Sequence, residues 1–222
     1  MKIKVKKNGP YVLIGSIPLN EEIITKENGV MVYQKSKSLP YAAQTHLCRC
    51  GSSKKAPYCD GVHAKIGFNG SETASRDAYV ERAEFLPGNL TNLLDDHRCA
   101  IARFCYKRNG TAWELVKRAD TDALKHEAIA AALDCPAGRL TALSKSNQPY
   151  EYTYIPEVVV AQDQDKDCSA GLFVRGNIPL ESADGQPYET RNRYTLCRCG
   201  HSENKPFCDG THISIQFKDN IK

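Results

Sequence analysis

A chain of 222 residues with a net charge of +4 and 25% charged side chains is long enough for one large domain or two or three small ones. It has no Lys/Arg run beyond Lys2–Lys7 and no interleaving of basic and aromatic residues, so nucleic-acid binding is not expected. No window approaches the roughly 18 apolar residues of a membrane helix, and the basic start runs into Asn8-Gly9-Pro10 instead of a secretory apolar core, so ten cysteines point to a soluble cytoplasmic protein with reduced thiols.

In chain order, a strand is predicted at Ile3–Lys6. A second follows over residues 9–19, where Tyr11-Val12-Leu13-Ile14 leads into Gly15-Ser16-Ile17-Pro18-Leu19. A third is predicted at Val30–Gln34. Then comes Cys48-Arg49-Cys50, with Pro57-Tyr58-Cys59-Asp60-Gly61-Val62-His63 behind it. From about Asn92 to Ser144 the composition shifts to Ala, Leu and charged residues. One helix is predicted over Asp95–Tyr106 and a better one over Thr121–Leu133, capped at Thr121 and stopped by Cys135-Pro136. Trp113 reads as the core anchor of this segment. Strands return at Thr153–Ala161, at residues 171–180, which end in a second Gly-x-Ile-Pro-Leu, and at Glu189–Leu196. The chain then repeats Cys197-Arg198-Cys199 and Pro206-Phe207-Cys208-Asp209-Gly210-Thr211-His212.

The two copies share the spacing C-x-C-x8-C-x3-H. Three thiols and an imidazole at fixed spacing, used twice, describe a metal site and not a nucleophile. Zinc remains an alternative, although zinc sites favour C-x2-C knuckles. Disulfides leave the histidine unexplained. Pro57 and Pro206 fix φ ahead of the third cysteine. Asp60 and Asp209 are expected to cap a short helix carrying the histidine, with Gly61 and Gly210 turning the chain past the site.

The pattern C-x-C-x2-[S/T]-x3-P-x-C-D-G-[S/A/T]-H resembles the CDGSH iron-sulfur family, the group that includes mitoNEET. The second copy matches throughout, with Ser202 and Thr211 in place; the first departs only at Val62. The resemblance implies two [2Fe-2S] clusters. One would have Cys48 and Cys50 on one iron and Cys59 and His63 on the other. The second would use Cys197 with Cys199, and Cys208 with His212. One imidazole per site implies a potential above that of a four-cysteine cluster, the trend seen in Rieske centres, and lability to acid.

The expected fold is α+β, with two small β-rich repeats (1–88 and 151–222) paired about a pseudo-two-fold and a helical middle insertion (89–150). A single repeat is too small to bury much core, so the paired unit is expected within one monomer. The middle segment, with Cys99, Cys105 and Cys135, resembles a divergent three-cysteine ferredoxin-type segment. Its thiols are expected to pack as small buried groups without a third cluster. Cys168 reads as incidental in a polar loop, and His97 and His126 as ordinary helix residues. His46 and His201 are expected beside the ligands, Arg49 and Arg198 on the loop surface, and Lys54, Lys55 and Lys205 near the histidines. With no phosphate loop, catalytic triad or dinucleotide fingerprint, no enzyme is expected. The expected role is electron transfer or redox sensing with a redox partner. Transfer or storage of [2Fe-2S] units for an apo-protein acceptor is the alternative, and a structural zinc protein a lesser one.

Overall fold

The computed structural model describes residues 1–219. The first repeat contributes β1 (Lys2–Val5), β2 (Tyr11–Ile14), β3 (Leu19–Glu27), β4 (Val30–Leu39), β5 (Gln44–Leu47) and the single-turn α1 (Val62–Lys65). Just ahead of the middle segment lie α2 (Tyr79–Arg82) and β6 (Glu84–Leu86), the latter joining its sheet, and the segment itself adds β7 (Asn92–Asp95), β8 (Tyr106–Lys107), β9 (Gly110–Thr111), α3 (Ala112–Arg118), α4 (Asp122–Leu133) and β10 (Leu140–Leu143). The second repeat supplies β11 (Glu157–Asp163), β12 (Cys168–Arg175), β13 (Leu180–Glu181), β14 (Arg193–Leu196) and α5 (Thr211–Ser214).

Each of the two main sheets takes strands from the other repeat, one (β13) in the first sheet and two (β3 and β4) in the second. One runs β13-β1-β2-β5, the other β14-β12-β11-β3-β4. In both, the strand after the Gly-x-Ile-Pro-Leu turn crosses over and pairs in parallel with the partner repeat, Ile3 opposite Leu180 and Val158 opposite Leu19. The turn residues Ser16 and Asn177 hold φ of 51 and 55, beside glycines that also lie at positive φ. That geometry launches the crossing strand. One core then joins the repeats: Ile3, Tyr11, Leu13 and Leu47 pack with Val158, Leu172, Val174 and Leu196.

The middle segment is mixed, not simply helical. Its three-stranded sheet β10-β7-β6 packs with α3 and α4 around Leu93, Leu115, Ala128 and Leu140. α4 begins at the expected cap, where Thr121 accepts the Leu124 N–H. The helix predicted over Asp95–Tyr106 is absent. Asp95 and Asp96 accept the N–H groups of His97 and Arg98 instead, in tight side-chain turns. His97, Ile101 and Arg103 follow at positive φ. Local aspartate bonding overrides an otherwise helical composition, and the segment becomes an ordered loop. Among the described residues no helix is long and apolar enough to cross a membrane.

Candidate metal centre

Each cysteine loop hangs from the end of a strand, β5 in the first repeat and β14 in the second, and is closed by an isolated bridge, Leu47 to Tyr58 and Leu196 to Phe207. Ser53 and Ser202 tie the loop interior, donating to the carbonyls of Tyr58 and Phe207 at 2.6 and 2.7 Å. Asp60 and Asp209 accept from the first helical N–H, at Val62 and Thr211. The cap position itself is held by Gly61 and Gly210, at φ 85 and 87, so each aspartate acts one residue earlier than predicted. With four residues, each helix contributes little dipole.

The predicted ligands come together as pairs. Cys48 Sγ lies 3.7 Å from Cys50 Sγ, and Cys59 Sγ lies 3.4 Å from His63 Nδ1. In the second loop the distances are 3.6 Å for Cys197 and Cys199, and 3.4 Å for Cys208 and His212. Two thiolates on one tetrahedral metal at ~2.3 Å per bond stand ~3.8 Å apart, so each pair has the bite of a chelate. No three His, Cys, Asp or Glu side chains among the described residues gather closely enough to hold a single ion. The donors are therefore arranged two by two.

The surroundings favour one thiolate in each cysteine pair and oppose the others. Cys48 is held down to about 6 by its bond with the Cys50 thiol, and then by the N–H groups of Ser53, Gly51 and Cys50 against the opposing cost of burial. Cys197 is held at about 6 in the same way, by Cys199, Ser202 and Gly200. Their partners, Cys50 and Cys199, are pushed up by sharing that bond and by burial. Burial also raises Cys59 and Cys208, opposed by the N–H groups of Gly61 and Gly210. A bound cation reverses that cost, because a coordinating thiol is deprotonated outright. His212, 2% exposed, is lowered to about 4 by burial and then by Arg198. It is thus a neutral imidazole, the form that binds metal.

The arginines between the paired cysteines are not on the surface. Arg49 and Arg198 are 1% and 3% exposed. Arg49 donates to the carbonyls of Gly9, Gly70 and Lys6 at 2.8, 2.9 and 3.0 Å. Arg198 donates to Ala170 and Ala161 and pairs with Asp219. Arg49 thus staples its loop to the β1–β2 turn and to the segment at Gly70, and Arg198 staples its loop to β11 and β12. Tyr11 crosses between repeats, donating to the carbonyls of Cys197 and Pro206 at 2.7 and 2.9 Å. Gly51 and Gly200 are reciprocal contacts: a methyl on either would overlap the carbonyl of Cys199 or Cys50. These positions were legible only as repetition, since Cys-Arg-Cys-Gly occurs identically in both copies.

Other predicted residues are less central. His46 and His201 are exposed, and Lys54 and Lys55 point to solvent, while Lys205 donates to the Ser202 carbonyl beside its own loop. Trp113 donates to Asp95 at 2.9 Å and leans on the middle core. Cys168 is not in a loop; it opens β12 and is buried, with its thiol raised to about 11 by that burial. Cys99, Cys105 and Cys135 line one narrow cavity. Burial, then Cys135 and Cys99, raises the Cys105 thiol to about 12, and burial raises Cys135 too.

The family model described as iron-binding zinc finger, CDGSH type, matches residues 8–64 and 170–213. The chain carries this iron-sulfur family's domain twice, as a tandem-repeat CDGSH protein. No curated protein and no solved structure matches the chain.

Proposed function

We propose that this tandem CDGSH chain holds two [2Fe-2S] clusters, one per loop, and works as a carrier or sensor of single electrons with a protein redox partner. The observation that carries the reading is the grouping of each donor set into two chelating pairs, which suits two irons per loop better than one zinc. Cys48 with Cys50 and Cys59 with His63 would hold the first cluster; Cys197 with Cys199 and Cys208 with His212 the second. When bound, such a cluster supplies a one-electron couple, at a potential raised by the imidazole. The protein's part is to keep four neutral or anionic donors in place. Backbone N–H groups face the thiols, burial keeps His212 unprotonated, and the arginine forks fix both loops.

We read the matching strand orders as a pseudo-two-fold built within one monomer, at home in the reducing cytoplasm where thiol ligands persist. The sequence carries no phosphate loop, triad or dinucleotide fingerprint, and we read the role as that of a carrier. The first loop favours a second reading, delivery of a cluster to an apo-protein acceptor, because Cys59 and His63 are only half-buried. A reversible redox titration of the purified chain distinguishes them. Electron carriage predicts full recovery of the visible spectrum over repeated cycles. Loss of iron to an added apo-ferredoxin faster than to buffer favours delivery.

A further inference from the structure

Behind the second loop, where the middle segment meets the second repeat, lies a partly open cavity of about 30 Å³ that reaches Cys208. That is room for two waters or one small flat ion, at roughly 10–15 Å³ per water. Four arginines and three carboxylates line it. The carboxylates already have partners: Asp96 takes Arg82 at 2.8 Å, Glu189 takes the Tyr79 N–H at 2.7 Å, and Asp77 takes the Ser75 hydroxyl at 2.6 Å. Arg98 is different. It forms no ion pair among the described residues; its guanidinium donates to the Ser75 carbonyl and lies 4.6 Å from the centre of the Phe207 ring. Burial and the nearby Arg82 charge weaken its hold on its proton, only partly offset by Asp96, Tyr188 and Glu189.

Two further lining residues keep a buried polar atom without a partner: the Thr195 hydroxyl, on a residue 2% exposed, and Arg82 Nε. A buried group left unpaired costs about 1–3 kcal/mol, and native interiors rarely tolerate it. Both N–H and O–H donate, and Arg98, which has no direct ion pair among the described residues, lines the same cavity. The missing partner is an acceptor with negative charge.

We propose that this cavity binds one small planar oxyanion, a carboxylate or nitrate, held by Arg98, Arg82 and Thr195. Bound there, its charge lies beside Cys208 and opposes addition of an electron at the second site. This consequence, unlike the binding itself, rests on the iron-sulfur reading above.

Calorimetric titration of the full holo chain with formate and with nitrate, at constant ionic strength set by chloride, tests the binding. One saturable site per chain is expected, with phosphate excluded by size. Thr195→Val removes only the unpaired hydroxyl, so it is expected to leave or raise thermal stability while weakening binding about fivefold. Arg98→Gln is expected to weaken it more than tenfold, as loss of a charge-assisted bond does. Absence of a binding isotherm with both ions, or unchanged affinity in Thr195→Val, overturns the site. A redox titration with formate then reads the consequence: the lower-exposure site shifts to more negative potential in wild type and stays put in Arg98→Gln. Binding without that shift refutes the coupling and leaves the site standing.

Discussion

In the first repeat, β1 and β5 alternate, with Ile3, Val5, Thr45 and Leu47 buried and Lys4 and His46 turned outward. In the second, β14 is buried along its whole length and β12 along all but its last residue. The cause is the middle segment. Ala102 and Phe104 pack on the second sheet's outer face with Val159, Ala161, Ala170 and Phe173, whereas among the described residues no residue of 89–150 joins the apolar clusters of the first sheet and its loop. The ligands inherit the difference: Cys59 and His63 are half-buried, whereas Cys208 and His212 are 3% and 2% exposed. Ile101 seals the second loop, its side chain filling the space where a Cβ on Gly210 would go. Two loops with the same ligand spacing are thus one open and one closed site. A protein that must both exchange with a partner and retain a cofactor gains from having one of each.

The largest effect should strike both sites at once, because they touch. Gly51→Ala places a methyl into the Cys199 carbonyl at φ 76, and its iron content after purification is expected to fall by more than half. Gly61→Ala has open space around it and pays only for positive φ, about 1–2 kcal/mol in a denaturant titration with iron retained. Equal iron contents in the two variants would show that the loops do not depend on each other.

Acid should separate the sites next. On lowering the pH, the visible spectrum is expected to bleach in two phases of similar amplitude, the first-repeat phase leading. His63→Cys should remove the leading phase, since a thiolate ligand does not leave on protonation near neutrality. A single phase in wild type would erase the contrast. The His212 imidazole also shapes folding stability. An unfolded histidine takes up its proton near 6.5, but folded His212 refuses it down to about 4. Between those values the unfolded chain binds more protons, so the second site's stability falls as pH drops through that window.

Removing the cover should then make the sites more alike. Ile101→Ala is expected to bring the slow bleaching phase several-fold closer to the fast one without changing the fast one. Acceleration of both phases would mean a general loss of stability. The smallest effect belongs to Val62. Thr211 donates its hydroxyl to Asp209 at 2.6 Å, a bond the valine cannot make, so Val62→Thr should slow bleaching of the first site and add about 0.5–1 kcal/mol.

The ligands and their spacing were legible because chemistry fixes them in sequence. β1, β2 and α4 were legible through apolar pattern and capping. β3 was not, since Glu21, Glu22 and Lys26 break its pattern and find their reason only in space, as when Glu22 meets Arg175 from the other repeat. The loop at 95–106 escaped for the same kind of reason. Asp95 is committed to Arg139, 44 residues away, and to Trp113, and no local window contains that information. The buried arginines were misplaced because charge argues for the surface until three carbonyls are seen to converge on Arg49.

The central claim is two binuclear sites built from paired donors. Iron, acid-labile sulfide and zinc measured together on freshly purified chain test it most directly. The account predicts about four irons and four sulfides per chain with negligible zinc. Two zincs per chain without sulfide would contradict it.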